Sequence, residues 1–134
     1  MATKWANASV LDGGSDLMRT LAGTVARVKM HVIKAYTAGD SYATVVTTNS
    51  CGSVDLVAAD LAQSSTGSNR RTTVAAKTIT LSASSGAAPD LQIAIVDSVS
   101  SAVLLVTDET SNQVLTSGNT FNVPAWTYDV NQPT

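Results

Sequence analysis

The side chains that could carry out chemistry in this sequence are few and far apart. The 134 residues include one histidine, His31, and one cysteine, Cys51. Nucleophilic catalysis needs a base within hydrogen-bond reach of a nucleophile, and a carboxylate that orients the base. No local motif around His31 or Cys51 supplies that set, and one cysteine with one histidine cannot build the usual zinc site. The sequence therefore predicts no catalytic residue, no metal site and no cofactor.

Two pairs of carboxylates are the other candidates for a metal site. Asp12 and Asp16 flank a Gly-Gly pair, but calcium needs about six to eight oxygen ligands and the EF-hand spacing is absent. Asp108 and Glu109 are adjacent, so on a strand their side chains point to opposite faces. A turn and a helix cap account for Asp12 and Asp16, and a turn before residues 110–112 accounts for Asp108 and Glu109. The chain is predicted not to be an enzyme.

The residues best suited to a protein interface are aromatic, apolar or basic. Trp126 and Tyr128 share one face of the last predicted strand, where core packing or an oligomer contact would use them. Trp5 precedes the folded body and should dock either on its own domain or on a neighbour. The Arg70-Arg71 pair would contact an anionic partner or stay solvated. The complete set of interface candidates is Trp5, Leu11, Arg70, Arg71, Trp126 and Tyr128.

One short helix is predicted near the N-terminus, ahead of the strands. Ser15 or Asp16 can cap it, and Gly23 stands where it would end. Three apolar residues between them, at positions 17, 18 and 21, give the helix one apolar side. A helix this short must pack on another element to be stable.

The rest of the chain is predicted to form short strands separated by turns. Four stretches between the strands are predicted to be non-strand: turns over 37–41 and 49–53, and polar loops over 61–71 and 82–90. The apolar run Ala102–Thr107 is typical of a strand covered on both faces. The predicted strands cover 28–33, 42–48, 54–57, 74–81, 91–95, 102–107, 113–115, 120–123 and 126–130.

This pattern predicts an all-β protein: a single antiparallel, jelly-roll-like β-sandwich with about eight short strands and one short N-terminal helix. Residues 1–14 are assigned to an N-terminal arm, 15–130 to the sandwich domain and 131–134 to a C-terminal tail. The arm is expected to contact another subunit, with Trp5 as its anchor. The alternative is that Trp5 and Leu11 pack on their own sandwich.

Composition excludes several classes of function. Charged residues make up 13% of the chain, about half the usual share, while 16 Ser and 18 Thr supply polarity. The isoelectric point near 5.0 argues against a nucleic-acid partner, and no apolar run has membrane-spanning length. All eight basic residues lie within 1–77, whereas five acidic residues and no basic one follow. Such asymmetry can orient two copies, or one copy and a scaffold, unless the two halves interleave in the fold and leave no dipolar surface. Together with the low charge and the Trp126–Tyr128 pair, it leads us to expect a homodimer or homotrimer.

Three stretches resemble small virion proteins of tailed bacteriophages. They are WANASVLDGG (Trp5–Gly14), AYTAGDSYATV (Ala35–Val45) and VTDETSNQV (Val106–Val114), the last followed by Thr116–Thr120 and the ending Pro124–Thr134. The resemblance runs from the first residues to the last, and its motifs carry no chemistry. It implies a non-enzymatic virion structural protein.

Capsid decoration, or cement, is the subtype that the resemblance favours. It implies the major capsid protein as partner, a place on the capsid surface and assembly in the host cytoplasm. The alternative is another virion part: a tail or fibre component, or a module that binds a receptor or a glycan.

Overall fold

A computed structural model describes residues 4–134, with the side chains of all of these except 109–111. The protein is mostly β, with antiparallel pairing throughout and a few short helices. Within residues 4–134 the strands are β1 (Val28–Ile33), β2 (Ser50–Asp55), β3 (Leu61–Thr66), β4 (Asn69–Val74), β5 (Lys77–Thr80), β6 (Asp90–Asp97), β7 (Ala102–Asn112), β8 (Thr120–Val123) and β9 (Trp126–Val130).

The predicted single N-terminal helix is two helices in the structure. Helix α1 (Ala8–Leu11) is capped by the side chain of Asn7, and α2 (Gly13–Ala22) follows after Asp12. A π-helix (Thr44–Asn49) and a 3-10 helix (Ala58–Asp60) lie between strands further along the chain. Within residues 4–134, none of the helices has the length and apolar character needed to cross a bilayer.

The strands form three hydrogen-bonded groups. Four strands pair in the order β2-β1-β6-β7, three in the order β3-β4-β9, and β5 pairs with β8. The β4–β9 ladder and the β5–β8 ladder keep the same register, from the Val74–Trp126 pair to the Lys77–Val123 pair. The two ladders are therefore one long antiparallel ribbon, interrupted where Pro124 cannot donate a backbone hydrogen bond.

Both larger sheets contribute side chains to one main core. Met30 and Ile95 come from the four-stranded sheet, and Val74 comes from the three-stranded sheet. A smaller apolar cluster lies on the opposite face of the four-stranded sheet, where Val45 of the π-helix packs on Ile33. Because the π-helix covers this face, β1 is buried on both sides.

The prediction of a strand over 42–48 is wrong. Its β-branched residues suggested a strand, but the segment forms a helical turn that continues into the π-helix. The two residues that it buries, Val45 and Asn49, are four positions apart, as on one side of a helix, and Tyr42 is half-buried three positions before Val45. Packing of this face on the small cluster outweighs the local strand preference.

Three further predictions of local structure are wrong. The polar loop over 61–71 is instead a hairpin, in which Thr66 pairs with Asn69 around Gly67 at a φ of 64°. The turn over 49–53 belongs mostly to β2, and the segment 113–115 is not a strand. The hairpin is polar because Leu61, Thr72 and Val74 are its only fully buried residues, so its apolar signal is weak.

Candidate interface residues and the β7–β9 seam

Trp5 lies on an extended segment that is fixed against the end of the chain. The side-chain amide of Gln132 accepts from the Ala6 N–H and donates to the Ala6 carbonyl, both at 2.8 Å. Gln132 also donates to the Ser68 carbonyl, and its backbone N–H donates to Asn69 Oδ1. The Trp5 side chain is nevertheless 71% exposed. The segment is thus held in place while its indole faces solvent.

Leu11, Arg70 and Arg71 are engaged within the chain itself. Leu11 is buried, and the adjacent Asp12 accepts two hydrogen bonds from Arg70 Nε at 2.9 and 3.0 Å. Arg71 donates to both carboxylate oxygens of Asp129, which holds the pKa of that carboxyl below its usual range. These contacts attach the start of the chain to β4 and join β4 to β9. The guanidinium groups of Arg70 and Arg71 are therefore each paired with a carboxylate of the same chain.

Trp126 and Tyr128 lie on β9, at the open side between the two larger sheets. Their ring centroids are 6.3 Å apart, and both rings pack partly against the main core. Burial raises the pKa of the Tyr128 hydroxyl. The Trp126 Nε1 atom is hidden from solvent and has no hydrogen-bond partner among the described residues. Both aromatics therefore pack against the core, which is one of the two alternatives that the sequence left open, and both also line an opening beside it.

That opening is the β7–β9 seam, defined here as the space between the last strands of the two larger sheets. It contains one cavity of about 210 Å³, beside Leu104, Leu105 and Tyr128, with Leu17 and Met18 of α2 on its other side. A second cavity, of about 190 Å³, lies beside Thr107, Asp108 and Trp126. The seam is thus a mostly apolar opening that runs along β7.

The opposite face of β7 borders a larger groove. Its volume is about 460 Å³, and it runs beside the segment Val103–Val106. Tyr36, Asp40 and Tyr42 form its other wall. The run Ala102–Thr107 was predicted to be covered on both faces, but in the structure it is a half-buried edge strand between two openings. Hydrophobic periodicity cannot distinguish these two placements, because both need apolar side chains on both faces.

His31 is buried in the four-stranded sheet, on the side that the π-helix covers. Its Nδ1 lies 2.7 Å from Ser50 Oγ, and its Nε2 has no partner among residues 4–134. Burial, together with the positive charge of Lys29, lowers the pKa of His31 to about 4. The neutral imidazole is then a weak base at neutral pH, so its contact with Ser50 does little to activate that hydroxyl.

Cys51 lies in β2 and is fully buried in the main core. Burial raises the pKa of its thiol, which lowers its reactivity because the thiolate is the nucleophile. We expect iodoacetamide to alkylate the folded protein at least about tenfold more slowly than the urea-unfolded protein. Mass spectrometry of timed aliquots measures both rates. Equal rates would contradict the buried position of Cys51.

Comparison of the chain with family models, with curated proteins and with solved structures gives no match.

Proposed function

We propose that this chain is a non-enzymatic structural protein of a tailed-bacteriophage virion, and specifically a capsid decoration protein. In this proposal it folds as a jelly-roll-like sandwich, self-associates as a dimer or trimer, and binds the major capsid protein on the head surface. The resemblance of three stretches to small virion proteins supports the class. The surface of the N-terminal region supports the mode of action.

The observation that carries the proposal is where the exposed apolar side chains lie. Among the residues whose side chains are described, eight large hydrophobic ones are exposed, and four of these fall within residues 5–25. These four are Trp5, Val10, Leu17 and Val25, with exposures of 71%, 68%, 54% and 91%. Exposed aromatic and apolar side chains are what a subunit contact buries, and Trp is enriched among the residues that dominate binding energy.

A decoration protein acts by binding the assembled shell more tightly than the separate subunits. Each bound copy then stabilises the lattice by mass action. Contacts to more than one capsid subunit would multiply this effect, even where each contact is weak. The abundance of Ser and Thr over charged residues suits a large contact, because a hydroxyl costs less to desolvate than an ion.

Antibodies raised against the recombinant chain test its place in the particle. Virions of the phage that encodes it are labelled with immunogold and imaged by electron microscopy. Gold spread over the head surface is the expected result. Gold confined to the tail or fibres would favour the alternative virion role, and particles without gold would contradict a virion role altogether.

Trp5 should matter for head binding and not for folding. We expect Trp5→Ala to change the free energy of unfolding by less than about 0.5 kcal/mol, because the indole is largely in solvent. Binding to heads that lack the chain should weaken at least about tenfold. Co-sedimentation and denaturant titration measure the two effects. Val99→Ala, at another exposed apolar residue, is the matched control and should change neither.

The reverse result for Trp5→Ala would place the N-terminal segment in the fold. In that case stability would fall and head binding would be unchanged. Because Leu11 and Asp12 are buried, this point substitution separates the two roles better than deletion of the whole segment.

A further inference from the structure

One edge of the four-stranded sheet is open along β7. This strand pairs with β6 and, among the described residues, with no other strand. The register with β6 is continuous from the Ile95–Leu105 pair to the Gln92–Asp108 pair, and it shifts on either side. In an antiparallel ladder, alternate residues of an edge strand direct their N–H and C=O groups away from the sheet. Leu105–Asp108 is therefore a regular stretch with hydrogen-bonding capacity unused by β6.

Both faces of the same stretch have space for side chains. The groove beside Tyr36 and Tyr42 lies on one face, and the β7–β9 seam lies on the other. Side chains of an extended strand alternate between the two faces of a sheet. A strand added beside β7 would therefore place successive side chains in the groove and in the seam alternately. The seam is lined mostly by apolar surface, whereas the groove presents more polar than apolar surface. The strand that fits therefore carries apolar side chains toward the seam and small polar ones toward the groove.

The charges around β7 indicate which kind of strand fits. Among the described side chains, the charged ones that line the groove and the seam are Asp40 and Asp108, both acidic. A strand that carries a Lys or Arg would complement them, and opposite charges across a contact favour the matching partner.

A second copy of this chain supplies that complement poorly. Five of its basic side chains hold ion pairs, Arg19 donates to the Ala58 and Leu61 carbonyls, and Lys4 donates to Thr134. Of the eight basic side chains, Lys34 alone has no such contact within the part of the chain that the structure describes. Strand β7 itself carries no basic residue.

We propose that the open edge of β7 accepts an extended, Lys- or Arg-bearing strand of a different protein, with apolar side chains on the face toward the seam, which lengthens the four-stranded sheet by one. Main-chain hydrogen bonds to Leu105–Asp108 supply affinity, and the two openings select the side chains. The basic residue of the added strand lies near Asp108. The contact proposed here does not depend on the protein being part of a virion.

The test uses fluorescein-labelled eight-residue peptides and the intact chain. The probe is Lys-Thr-Val-Thr-Val-Thr-Val-Lys, compared with a peptide that has Glu at both ends and with one that has Pro at the central Val. Fluorescence anisotropy should show the Lys peptide binding at least about tenfold more tightly than either comparison peptide. Hydrogen exchange should slow within residues 102–108 when the Lys peptide binds.

Asp108→Lys is the decisive variant, because Asp108 is exposed and its side chain can change without altering the core. This variant should prefer the Glu peptide to the Lys peptide. Asp55→Lys, at an exposed carboxylate on the far edge of the same sheet, should keep the original preference.

Three results would overturn the inference. The first is no binding of the Lys peptide at about 1 mM. The second is equal binding of the Pro peptide. The third is a dimer of the free chain, in analytical ultracentrifugation, whose formation protects β7 from exchange, which would make a second copy the occupant.

Discussion

Replacing Gly52 by alanine is expected to lower the free energy of unfolding by about 3 kcal/mol. Gly52 lies in β2 opposite Val32 and also bridges to Leu81, just after β5. A Cβ at this position would lie 2.7 Å from the Thr80 carbonyl oxygen and 2.9 Å from Ile79 Cγ2. Because the first contact is with backbone, the ribbon of β5 must move away from the four-stranded sheet to relieve it.

The control for this prediction is Gly14→Ala, in the first turn of α2. A Cβ there meets nothing within 4 Å, and alanine has the better helix propensity. We expect Gly14→Ala to be neutral or to stabilise by about 0.5 kcal/mol. Urea titration followed by circular dichroism measures both variants. A Gly52→Ala protein with unchanged stability would mean that β5 is not packed against β2 at this point.

The sequence predicted the class of the fold because periodicity and turn residues act locally. Alternation over 28–33 and over 91–95 identified β1 and β6, where one face points to the main core. The π-helix was not predicted because its Thr and Val residues favour strands. The packing that favours a helix involves Ala94 and Val96 of β6, which are distant in the sequence. The β3–β4 hairpin was not predicted because the chief sequence sign of its turn is the Gly67-Ser68 pair, which lies inside a polar stretch.

Only some of the residues of the candidate interface could be predicted from the sequence. Trp5, Trp126 and Tyr128 could be selected by residue type, since large aromatics dominate interfaces. The ion pairs that engage Arg70 and Arg71 could not be predicted, because each joins residues 58 positions apart. Whether β7 lies at the edge or at the centre of the sheet depends on strand order, which the sequence does not reveal. An apolar run can have the same composition in either position.

Acid should destabilise this protein through its single histidine. In the folded state the pKa of His31 is lowered to about 4, because the imidazole is buried and lies near Lys29. In the unfolded chain the pKa returns to about 6.5. Between these values the unfolded state binds more protons than the folded state, so the free energy of unfolding falls as the pH falls.

We expect the free energy of unfolding to decrease by about 3 kcal/mol between pH 7 and pH 4, with most of the loss below pH 6. Carboxylates contribute at the lower end of this range and beyond it. Arg27 and Ser100 hold the pKa of Asp97 well below its usual range, so the stability that this carboxylate contributes is present above about pH 4 and is lost on further acidification. The interval from pH 6.5 to 4.5 therefore reports on His31.

His31→Gln tests the assignment, because glutamine can still bond to Ser50 but does not titrate. Urea unfolding at half-unit steps of pH should give a slope near zero for this variant between pH 6.5 and 4.5. The unmodified chain should lose stability steadily over the same steps. Parallel curves for the two proteins would show that another group titrates there, and that His31 is accessible to protons in the folded state.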